Sequence, residues 1–320
     1  MNFAGWNVGQ QDGLRGLVRA AVPAANVVAL EEVGGGYANV VLRAHLDRLP
    51  ASVIVRLWKR DPTRCEVELA VVERAREVVP VPRVLASDST GTLCGLPAAV
   101  LEDVPGVRAD LAMQEAGAAL QIAELLGRAF GSLRTLSFEA SGFFHAASLH
   151  IEPMPGLPAS AQLLAFAQPL VWGEATRSAL GEDVRRAWWS LIEQGAPLLD
   201  TANEPPTLVH ADANAKNVLV RKVGRRWELA AVLDWEFAFA GTGLVDLGNL
   251  LRFEPREGSE LTTATLRGWR EGSGATPERF IEIARVLDVF SLCGFVAAPE
   301  HALHGEVVAL ARNCAREGRL

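Results

Sequence analysis

Two apolar runs around Gly224, residues 217–221 and 227–233, constrain the fold of this chain more than any other feature. Short β-patterned runs on either side of a glycine turn predict a β-hairpin. Such a hairpin returns the chain to its starting point. It would therefore place Asp234, which directly follows the second run, beside Asn217, which begins the first.

A third oxygen-bearing side chain lies just before this hairpin. Asp212 stands five residues before Asn217 in a polar loop. A carboxylate that orients a hydroxyl group, with an amide and a second carboxylate that hold metal ions, is the side-chain set that phosphoryl transfer requires. Such hard oxygen ligands suit Mg²⁺, whose coordination is completed by phosphate oxygens and water. Asp212 is the predicted catalytic residue, and Asn217 and Asp234 are the predicted metal ligands.

Composition excludes several classes of function. The 320 residues, 49% hydrophobic and 22% charged, suffice for one large domain or two lobes. A net charge of −7 argues against a nucleic-acid partner and is compatible with a cationic small-molecule substrate. The chain lacks a signal-peptide pattern and a run of bilayer length, so we expect a cytoplasmic protein without membrane association. No feature indicates an obligate protein partner.

The four cysteines stand far apart, at Cys65, Cys94, Cys293 and Cys314. This spacing lacks the closely set pairs of a zinc site and does not indicate a disulfide framework. We therefore expect buried or incidental thiols.

Secondary-structure patterns change along the chain. Helical periodicity at residues 11–21 is followed by β-rich runs over residues 27–57, a helical pattern over 65–79 and a strand at 98–101. Residues 138–158, rich in Gly, His and Pro, indicate an irregular connection. Beyond residue 111 the remaining patterns are mainly helical, at residues 116–136, 161–168, 180–194 and 277–295.

The polar loop and the hairpin together resemble the aminoglycoside phosphotransferase and choline kinase family. Its members carry H-x-D-x-x-x-x-N and then an aspartate in an L-D-W/F-E setting. These positions are matched by His210, Asp212, Asn217, Asp234 and Glu236. The reaction that the resemblance implies is the one that the trio of side chains predicts.

The resemblance continues beyond this segment. Residues 241–251 are similar to the family's D-P-x-x-D-L-A run, and the resemblance implies that Asp246 stabilises the catalytic loop. Residues 213–216, Ala-Asn-Ala-Lys, depart from the family, which usually has Leu-His or a similar pair there. Lys216 is open to two interpretations, a phosphate contact or a solvated charge.

This resemblance covers nearly the whole chain and implies an α+β, protein-kinase-like fold with two lobes. A β-rich N-terminal lobe, residues 1–104, would bind the nucleotide. A larger, mainly helical lobe, residues 105–320, would carry catalysis and substrate binding, with the nucleotide in the cleft. The implied cofactors are ATP, or GTP, and Mg²⁺.

Nucleotide-binding residues follow from the same resemblance. Gly35, Gly36 and Asn39 belong to a glycine-rich turn of the kind that kinase-like enzymes fold over phosphates, where missing Cβ atoms let backbone amides approach. An ordinary hairpin turn is the alternative. Leu101, Glu102 and Val104 resemble the hinge that contacts adenine through backbone groups.

Arg56 stands where kinase-like folds place the cation that binds the α- and β-phosphates. Lys59 is the competing candidate, but strand alternation directs it to the opposite face. Glu66 and Glu68 could each pair with Arg56, and only one can face it because residues two apart diverge on a helix. We expect Glu68, since its side of the helix is apolar.

The acceptor is the least determined feature. Glu236, Glu271, Asp288 and Glu300 are candidate carboxylates for binding ammonium groups, although each taken alone fits a solvated surface residue. The leading hypothesis is an O-phosphotransferase acting on a small cationic antibiotic, an aminoglycoside or a basic peptide. The alternatives are a metabolic kinase for choline, ethanolamine, a sugar or homoserine, and a non-catalytic nucleotide-binding module. A non-catalytic module should lack a metal ligand, whereas this chain retains both Asn217 and Asp234.

Overall fold

The structure is a computed structural model that describes residues 7–33, 39–153 and 156–320. Its helices are α1 (Val8–Ala21), α2 (Arg64–Ala75), α3 (Ala109–Ala112), α4 (Ala119–Ser132), α5 (Ala159–Val171), α6 (Glu174–Leu180), α7 (Glu182–Gly195), α8 (Leu244–Leu251), α9 (Glu260–Ser273), α10 (Phe280–Val296) and α11 (His304–Glu317). Its strands are β1 (Val27–Glu32), β2 (Val40–Leu46), β3 (Ser52–Leu57), β4 (Val84–Asp88), β5 (Ala98–Glu102), β6 (Val107–Arg108), β7 (Gly142–His145), β8 (His150–Pro153), β9 (Thr207–Val209), β10 (Val218–Val223), β11 (Arg226–Val232) and β12 (Phe239–Gly241).

The chain folds into two compact units, and each contains more than one stretch of sequence. Unit 1 consists of residues 1–111, 144–152 and 216–238 and is rich in strands. Unit 2 consists of the remaining stretches, 112–143, 153–215 and 239–320, and is mainly helical. The proposed division of labour between residues 1–104 and 105–320 stays a prediction.

The main sheet of unit 1 places Arg56 on one of its two faces. Its five strands are antiparallel in the order β1-β2-β3-β5-β4. Side chains alternate along a strand, so the buried Val53 and Val55 of β3 pack with α1 on one face. Arg56 projects from the other face, on which Trp58 packs against Cys65 of α2.

The predicted hairpin is confirmed and lies in unit 1. Strands β10 and β11 pair antiparallel, and Gly224 between them adopts φ +62°, a conformation that glycine tolerates best. Beyond the last pair, the backbone N–H of Leu233 donates to the carbonyl oxygen of Asn217 at 2.8 Å. The two predicted metal-binding positions are therefore held side by side.

In unit 2, strand β9 leads directly into the polar loop. It pairs with β12, which also pairs with Gly142 and Phe143 of β7. Helices α8 and α10 pack so closely that a Cβ atom on Gly248 would lie 2.3 Å from the carbonyl oxygen of Ala284. Strand β9, which precedes the loop, and helix α8 are thus each packed against a neighbouring element.

Several sequence-based expectations are changed by the structure. Residues 138–158 are not wholly irregular, because they contain β7 and β8. Helices α6, α9 and α11 lie outside the helical patterns of the sequence analysis, and α6 spans only seven residues. The four cysteines are free and buried, as expected. Within the described ranges, no helix combines the length and apolar character needed to cross a bilayer.

Candidate active site

A buried carboxylate organises the polar loop of unit 2. The carboxylate of Asp246 accepts the backbone N–H of His210 at 2.9 Å and that of Ala211 at 2.8 Å. Ala211 has φ +67°, which costs a residue with a Cβ about 1 kcal/mol, so these bonds hold a strained turn in place. Burial raises the pKa of Asp246 to about 7, against the opposing effect of the two N–H donors. The expectation that Asp246 stabilises this loop is confirmed.

Asp212 is held by neighbours within the same loop. Its backbone N–H donates to Nδ1 of the buried His210 at 3.2 Å. The side-chain Nδ2 of Asn214 donates to the Asp212 carboxylate oxygen Oδ1 at 2.9 Å and to its carbonyl oxygen at 3.0 Å. His210 thus contributes to the scaffold, as its burial requires, and Asn214 is a contact that the sequence motif did not indicate.

A second set of polar side chains, from α8 and α10 and the residue after α8, lies next to the loop. The side-chain oxygen of Asn249 accepts the backbone N–H of Ala213 at 3.3 Å, and its Nδ2 donates to Asp288 at 3.0 Å. Asp288 also forms an ion pair with Arg252 at 2.7 Å, and it is only 3% exposed. The prediction that Asp288 contacts a substrate is therefore wrong, because its oxygens are buried against Arg252 and Asn249.

Three carboxylates of unit 1 surround the guanidinium of Arg56. Its Nη2 lies 3.1 Å from Glu68 Oε1, 3.1 Å from Asp234 Oδ1 and 3.9 Å from Glu236 Oε2. Burial raises the pKa of Glu68 to about 7, and the nearby Arg56 opposes that shift. This arrangement holds the cation where strand β3 and helix α2 meet.

The predicted choice of Glu68 over Glu66 is confirmed. Glu68 pairs with Arg56 and accepts the indole N–H of Trp58 at 2.7 Å. Glu66 instead accepts the hydroxyl of Ser89 at 2.7 Å. Lys59, the competing cation, is exposed beyond the end of β3.

The positions of Asn217 and Asp234 fit Mg²⁺. The side chain of Asp234 is 41% exposed, its φ is +64°, and Arg56 occupies one of its oxygens. Within the described residues, no three His, Cys, Asp or Glu side chains cluster to hold a metal. An amide and one carboxylate leave several coordination positions for phosphate oxygens and water, which is the arrangement that Mg²⁺ prefers.

Glu236 lies within a polar cluster of unit 1. Its carboxylate accepts the side-chain N–H of Asn39 at 3.1 Å and lies 3.6 Å from Arg60 Nη2. A cavity of about 130 Å³ is lined by Asn39, Trp58, Arg60, Asp61, Arg64 and Glu236. Glu236 is thus held close to Arg56 rather than presented on a helix of unit 2. Gly35 and Gly36 lie outside the described residues.

The remaining candidates lie in different surroundings. Leu101 and Glu102 belong to β5, where the Glu102 carboxylate pairs with Arg83 at 3.0 Å, and Val104 follows the strand half-buried. Their contact with adenine stays a prediction. Glu271 forms an exposed ion pair with Arg128. Glu300 is exposed in the turn region before α11.

Comparison with known proteins identifies the family. The profile of the phosphotransferase enzyme family APH matches residues 29–300. The chain belongs to this phosphotransferase family. No protein of curated function matches it in sequence.

Solved structures of other phosphotransferases share the fold of this family member. One match is aminoglycoside phosphotransferase APH(4)-Ia, solved as a thermostable mutant (N203A) in ternary complex with AMP-PNP and hygromycin B. Its TM-score is 0.62, with 17% identity over 96% of this chain and 97% of that one. A protein from Thermobifida fusca YX-ER1 assigned as a fructosamine-3-kinase has a TM-score of 0.62 and 19% identity over 94% of this chain and 97% of that one. Macrolide 2'-phosphotransferase MphH from Brachybacterium faecium has a TM-score of 0.60 and 21% identity over 95% of this chain and 98% of that one.

The family and the fold together confirm two predictions. The protein has the α+β, protein-kinase-like fold, with a β-rich unit and a mainly helical unit. It is a small-molecule phosphotransferase of the kinase type, and this family membership supports ATP binding. The three related structures bear the names of chemically different acceptors, so the fold leaves the acceptor open.

Proposed function

We propose that this phosphotransferase is a cytoplasmic enzyme that transfers the γ-phosphoryl group of ATP, with Mg²⁺, to a hydroxyl group of a small cationic antibiotic. The observation that carries the reaction is the ordered polar loop, in which Asp246 fixes the backbone immediately before Asp212. A carboxylate held in a fixed direction can orient a hydroxyl and accept its proton.

Each proposed residue has a separate role in the transfer. Asp212 orients the acceptor hydroxyl and takes its proton as the hydroxyl oxygen bonds to the γ-phosphorus. The bond from that phosphorus to the bridging oxygen of ATP breaks in the same step, and ADP leaves. Asn217 and Asp234 would hold Mg²⁺, which when bound would neutralise charge on the phosphate oxygens. Arg56, fixed by Glu68, binds the α- and β-phosphates, and its guanidinium can contact two oxygens at once.

The nucleotide-binding role extends to other parts of unit 1. We propose that Gly35, Gly36 and Asn39 cover the phosphates and that Leu101, Glu102 and Val104 contact the base. The hydrogen bond between Asn39 and Glu236 supports this proposal, because it joins the chain just after the glycine-rich turn to a residue two positions after Asp234.

A metabolic kinase is the second candidate, and the pairing of two acidic residues with arginines supports it. Two of the proposed ammonium-binding carboxylates already face arginines, Asp288 with Arg252 and Glu271 with Arg128. Of the four candidates, Glu236 and Glu300 are then left to bind ammonium groups. An acceptor with one amino group, such as an amino alcohol or an amino sugar, needs fewer.

The decisive experiment measures ADP release from ATP and Mg²⁺ across aminoglycosides, basic peptide antibiotics, macrolides, choline, ethanolamine, homoserine and fructosyl amines. Asp212→Ala serves as the inactive variant, and Asp183→Ala, an exposed residue of α7, is the matched control. We expect turnover with one compound class, lost in Asp212→Ala by about three orders of magnitude or more and retained in Asp183→Ala.

Each outcome decides between the candidates. Turnover of an antibiotic alone supports a resistance enzyme, and turnover of a metabolite alone supports the second candidate. Undiminished turnover in Asp212→Ala would refute the catalytic role of Asp212. ATP binding without turnover of any compound would count against both enzymatic candidates and favour a non-catalytic nucleotide-binding module.

A further inference from the structure

The side chain of Asn214 makes a contact that no catalytic motif of this chain accounts for. Its Nδ2 atom donates to the carboxylate oxygen Oδ1 of Asp212 at 2.9 Å and to the Asp212 carbonyl oxygen at 3.0 Å. An amide nitrogen carries two hydrogens, so one group can make both bonds. Asn214 is half-buried, as is Asp212.

These two bonds act on the orientation of one carboxylate. The terminal torsion of an aspartate has a broad energy minimum, so its oxygens are not fixed by the backbone alone. A donor on Oδ1 selects one orientation and thereby sets the direction of the other oxygen, Oδ2. A reacting group displaced by about 1 Å can lose about a hundredfold in rate.

Asp246, His210 and Asn249 fix the backbone on either side of Asp212 and at Asp212 itself. Asp246 binds the backbone N–H groups of His210 and Ala211, and His210 accepts the N–H of Asp212. Asn249 accepts the N–H of Ala213. These four hydrogen bonds end at backbone atoms, whereas the side chain of Asn214 reaches the carboxylate itself.

We infer that Asn214 is a positioning residue for the phosphoryl transfer, which orients the Asp212 carboxylate toward the acceptor hydroxyl. This inference rests on the proposed function of Asp212. The competing explanation is purely local. Asn and Asp side chains often bond to nearby backbone and stabilise a turn, in which case the contact with Oδ1 would have no effect on turnover.

The experiment compares four variants with the wild-type protein, using the compound that the wild type phosphorylates in the panel above. Asn214→Ala removes the donor, Asn214→Asp replaces it with an acceptor of the same shape, and Asn214→His keeps an N–H at a similar reach. Asn313→Asp, at an exposed position of α11, is the matched control for the added charge. We measure kcat, the KM for ATP, and the Kd of ADP with Mg²⁺ by calorimetry.

We expect Asn214→Ala to lower kcat by about ten- to hundredfold, with the KM for ATP and the Kd of ADP changed less than about threefold. Asn214→Asp should be slower still, because two carboxylates then repel each other. Asn214→His should recover most of the loss, and Asn313→Asp should match the wild type.

A double-mutant cycle separates positioning from structure. If Asn214 acts only through Asp212, adding Asn214→Ala to the Asp212→Ala variant should change the residual turnover less than twofold. The same substitution in the wild-type protein should lower kcat by the larger factor given above. Equal losses in both backgrounds, or an unchanged kcat in Asn214→Ala, would overturn the inference while leaving the proposed function intact. A wild-type protein that phosphorylates no compound, or an Asp212→Ala variant of full activity, would overturn the proposed function and the inference together.

Discussion

Two buried carboxylates, Asp246 and Glu68, illustrate how single residues determine the local order of the candidate site. Asp246 holds two backbone N–H groups of the polar loop, and Glu68 holds Arg56. Taking a carboxylate out of water disfavours its charged form, and both groups have a pKa raised to about 7. Each carboxylate therefore orders its neighbours, and the loss of its own hydration is the energetic cost.

The raised pKa of Asp246 makes the stability of the protein depend on pH. The folded state holds the proton more tightly than the unfolded chain, whose carboxyl has the ordinary value of 3.8. The contribution of this group to the free energy of unfolding is thus fully present below about pH 4 and is lost as pH rises to about 7.

We predict that the Asp246→Asn variant lacks this pH dependence. It should be less stable than the wild type by about 1–3 kcal/mol at pH 4, because an amide has one acceptor oxygen for two N–H donors. The deficit should shrink as pH rises to 7. Urea unfolding at several pH values, with the exposed Asp183→Asn as control, checks this. A deficit that grows with pH would mean that the N–H donors outweigh burial.

At the scale of elements, the closest packing in unit 2 joins α4 and α9. A Cβ atom on Gly268 would lie 1.9 Å from the carbonyl oxygen of Glu124, and one on Gly127 would lie 2.0 Å from that of Thr265. Backbone atoms cannot rotate away as a side chain can. The two helices therefore approach at a distance that only glycine permits at these positions.

We predict that Gly268→Ala lowers the free energy of unfolding by about 1–3 kcal/mol, since overpacking forces the helices apart. The matched control is Gly294→Ala in α10, where nothing lies within 4 Å of the added Cβ. That variant should gain up to about 1 kcal/mol, because alanine favours a helix over glycine. Calorimetric melting compares the two variants. Equal stabilities would show that α4 and α9 can separate without loss.

At the scale of the whole molecule, the chain divides its predicted site residues between two units. Asp212 belongs to unit 2, whereas Asn217, Asp234, Arg56 and Glu68 belong to unit 1. The boundary falls between residues 215 and 216, inside the motif. The proposed nucleotide and metal ligands of unit 1 can therefore be tested separately from the proposed acceptor-activating carboxylate.

We predict that MgATP stabilises the whole protein and that removing the metal reverses the effect. A ligand at 100 times its Kd adds about 2.7 kcal/mol to the free energy of unfolding. This gain corresponds to a rise of several degrees in Tm. EDTA should remove most of that rise. Asp234→Ala should show little rise, and Glu228→Ala, exposed on the same hairpin, should behave as the wild type. The same Tm with and without EDTA would refute metal-dependent nucleotide binding.

Features that depend on short separations along the chain followed from the residue pattern alone. The turn at Gly224 and the period of two in the flanking strands were enough to bring Asn217 beside Asp234. The same period placed Arg56 on the face of β3 opposite the buried Val53 and Val55. Helical spacing showed that only one of Glu66 and Glu68 can face Arg56, and the structure shows that it is Glu68. Covalent geometry restricts these arrangements strongly, so a local pattern was sufficient.

Which polar groups are buried, and what they contact, became evident from the folded structure. Asp288 had the appearance of a surface carboxylate, yet Arg252, 36 residues away, and Asn249 enclose it. Glu271 contacts Arg128, 143 residues away. Burial and pairing of charges depend on contacts between distant segments, and the period of a sequence pattern carries no information about those contacts.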